Sequence, residues 1–527
     1  MPTEHKRQPT DHNTDLLARE TVGMSGDSED RSRLASLASI SRGASLYTVG
    51  KVVSDAGEFL LHLLVSRGLG AASYGLFAYG KTLAFTALLL TNLGSDTSIL
   101  RYLPQYETQP AKRRFFLGLA WLTSAVGGTV VAGTLFVFAP TISSLTLDEP
   151  LFVDVLRLFA LILFVDTLAN LLYATFRAVE LIEYEILGKR LLKPLLRVVG
   201  VGGVLLVGGG LYGVVAAMVA ASVVTLVVTG YLFYWRLEIR PTLRSEAATR
   251  ESVRSYYAYS LPLTAKEAGT VMQSRVDVLM VGFFLSSTAV GIYNVSVLVA
   301  SLLYVPLLAC NQLFPPVASR LYSQGNQREL GEIYTVVTRW IVTASLLLGL
   351  IAVVFRSQIL GLFGPEFTAG SLILVLFVGS QLLNAATGPS DYLLMMTDHQ
   401  YVVMANEWVF GIANVLLNIV FIQAFGLIGA ALATAGVLAV RNLAKVSEVW
   451  YFERLHPYSW AFRNPILAGV VAAAGMLAVE AALAGLPALV VGTVVGLSCY
   501  GLSLWLLGIE PVDRRCFRLL RGDADES

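Results

Sequence analysis

Four ionisable side chains lie on one face of the first apolar stretch of this sequence. They are Lys51, Asp55, Glu58 and His62. Their spacing of 4, 3 and 4 residues places them within an arc of about 60° on a helix. Ionisable groups are costly inside a membrane and usually face an interior cavity. Cations in such a cavity can hold an anionic group, and carboxylates can bind a proton or coordinate Na⁺.

Similar polar stripes recur in further apolar stretches in both halves of the chain. A single stripe could be a structural network between helices, whereas several stripes in both halves indicate a shared polar cavity. The further stripes are Asp166, Asn170, Tyr173 and Arg177; Lys266, Thr270, Gln273 and Asp277, flanked by Glu267 and Arg275; Glu407, Gly411, Asn414 and Asn418; and Lys81, Asn92 and Asp96.

The chain that contains these stripes has the composition of an integral membrane protein. Of its 527 residues, 55% are hydrophobic and only 14% are charged, against about 25% charged residues in soluble proteins. Apolar runs of about 20 residues recur, each long enough to cross the hydrocarbon core. They lack the alternation of a membrane β-barrel, so helices must satisfy their backbone groups in lipid. The net charge of +1 gives no indication of a nucleic-acid partner.

We therefore predict an all-α integral membrane protein with about 14 transmembrane helices. Two six-helix lobes form a parallel pseudo-two-fold repeat, and two C-terminal helices follow. The predicted segments are a disordered cytoplasmic tail (1–41), an N-lobe of helices 1 to 6 (42–235), a cytoplasmic inter-lobe loop (236–255), a C-lobe of helices 7 to 12 (256–452), helices 13 and 14 (453–508) and a cytoplasmic tail (509–527).

Two similar turns support the repeat. Arg67–Tyr79 and Gly282–Asn294 both run through small residues to a glycine that is followed by an aliphatic and an aromatic residue. The glycines are Gly75 and Gly291. Parallel repeats are related by an axis along the membrane normal, which places a substrate site between the halves.

Basic residues cluster in alternate connections, as Lys189, Arg190 and Lys193 do after the fourth helix. The other connections are very short or acidic, such as Asp148 and Glu149. Because cytoplasmic loops are enriched in Lys and Arg, we predict a multi-pass protein of the cell membrane with both termini and the 236–255 loop in the cytoplasm.

Signatures of enzymatic chemistry are missing from the sequence. It has no glycine-rich phosphate-binding loop ending in Lys-Ser or Lys-Thr, and no His/Cys cluster with metal-ligand spacing. A membrane-embedded ligase or polymerase would need a sizeable extracytoplasmic loop, and the predicted outward connections are too short. We therefore expect no enzymatic activity, no cofactor and no metal site.

Three segments resemble the polysaccharide-biosynthesis branch of the multidrug/oligosaccharidyl-lipid/polysaccharide exporter superfamily, which includes O-antigen and repeat-unit flippases. They are SRGLGAASYGLFAYGKTLAF, SRVDVLMVGFFLSSTAVGIYNVS and FGLIGAALATA, and the similarity extends from Ala44 to Leu507. The resemblance implies two rocking six-helix lobes that open the cavity to either side in turn. It also implies a cationic cavity that accepts a phosphate-linked sugar while the polyprenyl tail stays in lipid.

We accordingly predict a flippase that translocates a lipid-linked oligosaccharide or a polysaccharide repeat unit. Its expected partners are a polyprenyl-phosphate-linked glycan, membrane lipid, and glycosyltransferases or a polymerase of the same pathway. The alternatives are a cation-coupled drug or small-molecule antiporter, which would need an acidic cavity, and a non-transporting scaffold of a glycan-assembly complex.

The predicted helix faces, rather than the family resemblance, suggest which residues bind the substrate head group and which couple transport to an ion. We predict that four cations bind the substrate head group: Lys51, Lys81, Lys266 and Arg275. The ion-coupling candidates are Asp277 first, then Glu58 and Asp55. A structural role stays open for several of them. Lys51 could neutralise Asp55 one turn away, Lys266 could extend to the membrane surface, and Asp277 could pair with Arg275 or Lys266.

Overall fold

The computed structural model describes the backbone of residues 12–508, and side chains from residue 49 onward except those of residues 272–274. The bounds of the first helix include positions 12–41 of the predicted disordered tail. No side chain of that predicted tail is described, and its residues 1–11 lie outside the described residues, as does the predicted tail from 509 onward. Both assignments stay predictions.

All regular secondary structure in the described part of the chain is helical, and this part contains no β-strand. A π-helical segment, Ile186–Leu192, joins α6 to α7, and 3₁₀ turns lie at Leu302–Tyr304, Pro365–Gly370 and Trp460–Phe462. The helices are α1 (His12–Asn92), α2 (Ser95–Gln105), α3 (Pro110–Val137), α4 (Ala139–Leu145), α5 (Pro150–Ala178), α6 (Ile182–Glu185), α7 (Lys193–Leu206), α8 (Leu211–Arg236), α9 (Arg250–Phe284), α10 (Ser287–Ser301), α11 (Val305–Ser323), α12 (Gln327–Val354), α13 (Arg356–Phe363), α14 (Ser371–Thr387), α15 (Ser390–Met396), α16 (Gln400–Glu453), α17 (Arg463–Ala482) and α18 (Gly485–Leu507).

Nine helical segments of the described residues are long and apolar enough to cross a membrane. Two of them, Val49–Gln105 and Gln400–Glu453, have 57 and 54 residues. A straight helix of that length would extend about 80 Å, far beyond a hydrocarbon core of about 30 Å. The protein is thus a multi-pass membrane protein, whereas the count of 14 helices and the two-lobe arrangement stay predictions.

Each of these two long segments bends at a glycine whose backbone other residues rarely adopt. Gly70 in α1 has φ 75° and ψ 175°, and Gly426 in α16 has φ 58° and ψ −135°. An L side chain is strained at such positive φ values, and these φ/ψ pairs are essentially restricted to glycine. The chain turns back on itself at both sites, which brings residues before and after the bend into contact.

The two repeated turns identified in the sequence lie against each other. A Cβ atom at Gly75 of α1 would lie 1.7 Å from the carbonyl oxygen of Ser287, and one at Gly291 of α10 would lie 2.3 Å from that of Ala71. Both positions therefore require glycine for the backbones of α1 and α10 to approach this closely. Around them Phe77, Tyr293 and neighbouring residues form the largest buried apolar cluster.

Candidate functional site

The bend at Gly70 brings three ionisable residues of α1 together. The Lys81 ammonium forms an ion pair with Glu58 and lies 2.8 Å from Nε2 of His62. The His62 side chain is 8% exposed, while those of Lys81 and Glu58 are 28% and 39% exposed. The charged ends of this group therefore border accessible space, whereas the imidazole is embedded in the helix bundle.

A second group of charges lies on α5 and α7. Asp166 of α5 is 2.8 Å from the Lys193 amine and 3.4 Å from the Arg197 guanidinium, and all three side chains are less than a fifth exposed. Arg197 also donates a hydrogen bond of 3.3 Å to Ser222 of α8. Its positive charge also acts on Glu58 and Lys81, so we describe the two groups together.

Arg275 of α9 adds a cation from the C-terminal half of the chain to these two groups. Its side chain is exposed, its guanidinium lies 5.5 Å from the ring centroid of Phe85, and its charge acts on His62 and Lys81. We call the combined set the cationic cluster. It contains four cations and two carboxylates, so its net charge is positive. Its members are Glu58, His62, Lys81, Asp166, Lys193, Arg197 and Arg275.

Two of the predicted cations lie apart from the cationic cluster. The Lys51 amine is 2.8 Å from Asp55, and the Asp55 side chain is 58% exposed. This matches the structural alternative in which Lys51 neutralises Asp55. Lys266 is exposed on α9 and forms no ion pair with any described residue. The substrate role assigned to these two lysines stays a prediction, as does the ion-coupling role of Asp55.

Sequence reasoning missed Lys193 and Arg197 as site residues. It assigns Lys193 to a basic cytoplasmic connection and does not single out Arg197. The signal is present in the spacing of Lys189, Lys193 and Arg197, which are four residues apart and share one helix face. Basic residues at a helix start satisfy the positive-inside rule equally well, so the pattern alone does not distinguish the two interpretations.

Asp277 lies in a separate, buried site. Only 4% of the residue is exposed, and it accepts hydrogen bonds of 2.8 Å from the Tyr293 hydroxyl and from its neighbour's amide nitrogen, that of Val278. Arg275 acts on it electrostatically, but among the described residues neither Arg275 nor Lys266 forms an ion pair with it. The alternative in which Asp277 is neutralised by a direct ion pair is therefore not what the structure shows.

The bend at Gly426 supplies the remaining groups of this site. It brings Thr434 of α16 next to Asn414 and Asn418, which precede the bend. The Asn418 amide donates to Asn414 Oδ1 at 2.7 Å and to Thr434 Oγ1 at 3.2 Å, while Thr434 Oγ1 is 3.5 Å from the Tyr293 hydroxyl. Among the described residues, Asn418 Oδ1 has no hydrogen-bond donor.

We call Asp277, Tyr293, Asn414, Asn418 and Thr434 the Asp277 network. Its members are less than 5% exposed, are rich in oxygen, and contain one carboxylate with no paired cation among the described residues. Hard cations prefer oxygen ligands, and an unneutralised buried carboxylate is costly unless it binds a cation or a proton. The polar helix faces predicted from the sequence include Asn414 and Asn418. They do not include Tyr293 and Thr434, although both lie within the segments of family resemblance.

Comparison with known families identifies the family of this chain. A sequence model of the family described as "Polysaccharide biosynthesis protein" matches residues 40–321, which is more than half of the chain. This chain belongs to that family. A second model, MatE, matches residues 262–422 of this polysaccharide biosynthesis protein. The resemblance identified from the three sequence segments is thereby confirmed.

Two relatives of this polysaccharide biosynthesis protein come from Haloferax volcanii. The "Probable low-salt glycan biosynthesis flippase Agl15" is 29% identical over 252 residues, which are 46% of this chain and 50% of the relative. The "Probable flippase AglR" is 26% identical over 214 residues, which are 38% of this chain and 44% of the relative. The matched region thus spans about half the length of these two relatives.

Among solved structures, the "Lipid II flippase MurJ, inward closed conformation" superposes with a TM-score of 0.67. The superposition covers 88% of this polysaccharide biosynthesis protein and 98% of that chain, with 12% sequence identity. At this identity the likeness shows the fold alone. This chain therefore has the same helical fold as that solved structure.

Proposed function

We propose that this protein is a flippase that moves a lipid-linked oligosaccharide or a polysaccharide repeat unit across the cytoplasmic membrane by alternating access. The observation that carries the proposal is the cationic cluster, in which the charge of Arg275 from the C-terminal half acts on Lys81 from the N-terminal half, and both side chains are at least partly exposed. The family and the two relatives described as flippases support a transporter rather than an enzyme.

The chemistry of the cluster suits the phosphate groups of such a substrate. An Arg guanidinium can bind two oxygens of one phosphate through parallel hydrogen bonds, and a Lys ammonium adds a compact charge. The excess of cations in the cluster offsets the desolvation of the anionic head group. The polyprenyl tail stays in lipid, so only the head group and sugars need polar contacts with the protein.

An antiporter of organic cations is less compatible with these groups. It would need a cavity dominated by carboxylates, whereas the cationic cluster contains four cations and two carboxylates. Asp277, whose carboxylate has no paired cation among the described residues, is buried in a network of small polar groups and suits a proton or Na⁺. We propose that the Asp277 network couples translocation to such an ion, with Glu58 and Asp55 as second candidates.

Reconstitution tests the flippase directly. We expect vesicles that contain the protein to translocate a polyprenyl pyrophosphate with one labelled N-acetylglucosamine faster than protein-free vesicles do. The measured quantity is the fraction of labelled sugar that becomes inaccessible to a chemical quencher outside. Gradient-driven export of a cationic dye, without translocation of the labelled lipid, would favour the antiporter. The absence of both activities from a folded protein would favour the scaffold.

We further propose that both termini and the 236–255 loop face the cytoplasm, because basic residues cluster in alternate connections. In a protein whose own cysteines are replaced, a membrane-impermeant maleimide applied to intact cells should label Glu149→Cys but not Ala248→Cys. Both positions are exposed, which makes them a matched pair. Outside labelling of Ala248→Cys, with Glu149→Cys protected, would invert the topology.

A further inference from the structure

His62 connects the cationic cluster to the contact between the two halves of the chain. Its Nε2 atom lies 2.8 Å from the Lys81 amine, and its Nδ1 atom lies 2.7 Å from the Tyr74 hydroxyl. The same hydroxyl accepts a hydrogen bond of 2.7 Å from the side-chain amide of Asn294 in α10. His62, Tyr74 and Asn294 are each less than 9% exposed.

The hydrogen-bond partners of His62 determine the protonation state of its imidazole while Lys81 is in this position. A lysine ammonium can only donate, so Nε2 of His62 must accept and cannot carry a hydrogen. A neutral imidazole then has its hydrogen on Nδ1, which donates to the Tyr74 hydroxyl oxygen. His62 is therefore neutral in this arrangement, and Lys81 occupies the nitrogen at which the ring would take up a proton.

Lys81 also neutralises Glu58, whose carboxylate lies 3.5 Å from the same His62 nitrogen. A lysine amine that turns towards a substrate phosphate leaves both Glu58 and Nε2 without their partner. His62 is one turn from Glu58 on the same helix, so its imidazolium could replace Lys81 as the cation beside that carboxylate. The Nδ1 hydrogen and the bond to Tyr74 would be unchanged, so the ring need not move.

We propose that His62 takes up a proton when the head group engages Lys81, so that substrate and proton bind together. The inference rests on the proposed function, since it requires an anionic head group at Lys81. Three electrostatic changes act in the same direction. The Lys81 amine leaves Nε2, Glu58 becomes available to the imidazolium, and the phosphate adds negative charge nearby.

Several charged, polar and aromatic groups surround His62, and some of them oppose its protonation. Arg275 repels an imidazolium, and a bound phosphate would screen that repulsion. The rings of Tyr74 and Phe77 contact the imidazole edge-on at centroid distances of 5.8 and 5.9 Å. The charged and polar groups around the site come from four helices: Glu58 and Lys81 from α1, Arg197 from α7, Arg275 from α9 and Asn294 from α10.

Calorimetry measures the linked proton directly. A polyprenyl pyrophosphate with one N-acetylglucosamine serves as the probe, because both phosphates of such a diester stay ionised near neutral pH. Titrations of the full-length protein in two buffers of different ionisation enthalpy should show uptake of about one proton per bound lipid. Because binding takes up a proton, affinity should rise as pH falls, by at most about tenfold per pH unit.

The substitution His62→Gln removes the group that takes up the proton but can keep both hydrogen bonds. Glutamine can accept from Lys81 and donate to Tyr74, but it cannot take up the proton. Whatever lipid binding this variant retains should occur with proton uptake close to zero and without the pH dependence. Glu58→Gln, which removes the partner of the imidazolium, should reduce uptake as well and provides a second readout if His62→Gln does not fold.

His399→Gln is the matched control, because His399 also lies 3.5 Å from a carboxylate, that of Glu453, but outside the cationic cluster. It should keep the full proton uptake. Uptake that persists in His62→Gln, or binding without uptake in the unmodified protein, would overturn the inference and leave the flippase proposal intact. Failure of the unmodified protein to bind the lipid at all would overturn both.

Discussion

Replacing Asp277 with Asn should abolish the dependence of transport on the gradient of the ion that binds the Asp277 network. Asparagine has nearly the same shape, and its carbonyl oxygen can still accept the hydrogen bond from Tyr293, so we expect the variant to fold and to bind substrate. It has no negative charge, so it can neither take up a proton nor neutralise Na⁺. Translocation into proteoliposomes, with and without a pH or Na⁺ gradient, measures the effect.

The expected size of this effect follows from the energy available. One elementary charge moved through 100 mV is worth about 2.3 kcal/mol, which corresponds to more than a tenfold shift between conformations. Asp277→Asn should therefore reduce gradient-driven transport about tenfold or more, to the rate seen without a gradient. Glu332→Gln, on the exposed surface of α12, changes a carboxylate in the same way and should have no effect.

A second variant distinguishes the two candidate ions. Thr434→Val removes a hydroxyl that could coordinate Na⁺ but leaves the carboxylate that would take up a proton. Sodium coupling should therefore weaken in this variant, whereas proton coupling should survive. Unmodified protein whose transport is independent of both gradients, or an Asp277→Asn variant that keeps full gradient dependence, would show that the network is only structural.

Replacing Arg275 with Ala should abolish translocation while the protein stays in the membrane. Arg275 is the cation of the cluster that comes from α9, and its exposed guanidinium stacks near Phe85 without an ion pair to a described residue. Its removal should therefore disturb the fold little. Loss of one charge-assisted, two-point contact to a phosphate should reduce head-group affinity by about ten- to a hundredfold.

Two further arginine substitutions show whether that loss results from the position and geometry of Arg275. Arg275→Lys keeps the charge without the two-point geometry and should retain part of the activity. Arg328→Ala removes an arginine whose side chain is 91% exposed on α12, and it should behave as the unmodified protein does. Normal glycan translocation by Arg275→Ala at normal abundance would contradict the assigned role of this residue.

The amino-acid sequence alone determined the class of the protein and identified several residues of the candidate site. Hydropathy depends on local composition, so the multi-pass helical architecture could be predicted from runs of apolar residues. Helical periodicity is equally local, which is why the spacing of residues suffices to predict the faces that contain Glu58 and His62, or Asn414 and Asn418. The paired glycines of the two similar turns are also visible in the sequence, because only glycine permits close backbone approach.

Only the tertiary structure decided which of these faces meet. Spacing assigns a residue to one face of its own helix but does not say which helix that face contacts. The bends at Gly70 and Gly426 brought Lys81 to Glu58, and Thr434 to the two asparagines. Lys193 and Arg197 belong to the cationic cluster because they lie within 4 Å of Asp166 on α5. Lys51 instead forms an ion pair with Asp55, one turn away on its own helix. The physical reason is that a buried charge is stabilised by whichever opposite charge the packing brings within a few ångströms, and that distance is set by the fold.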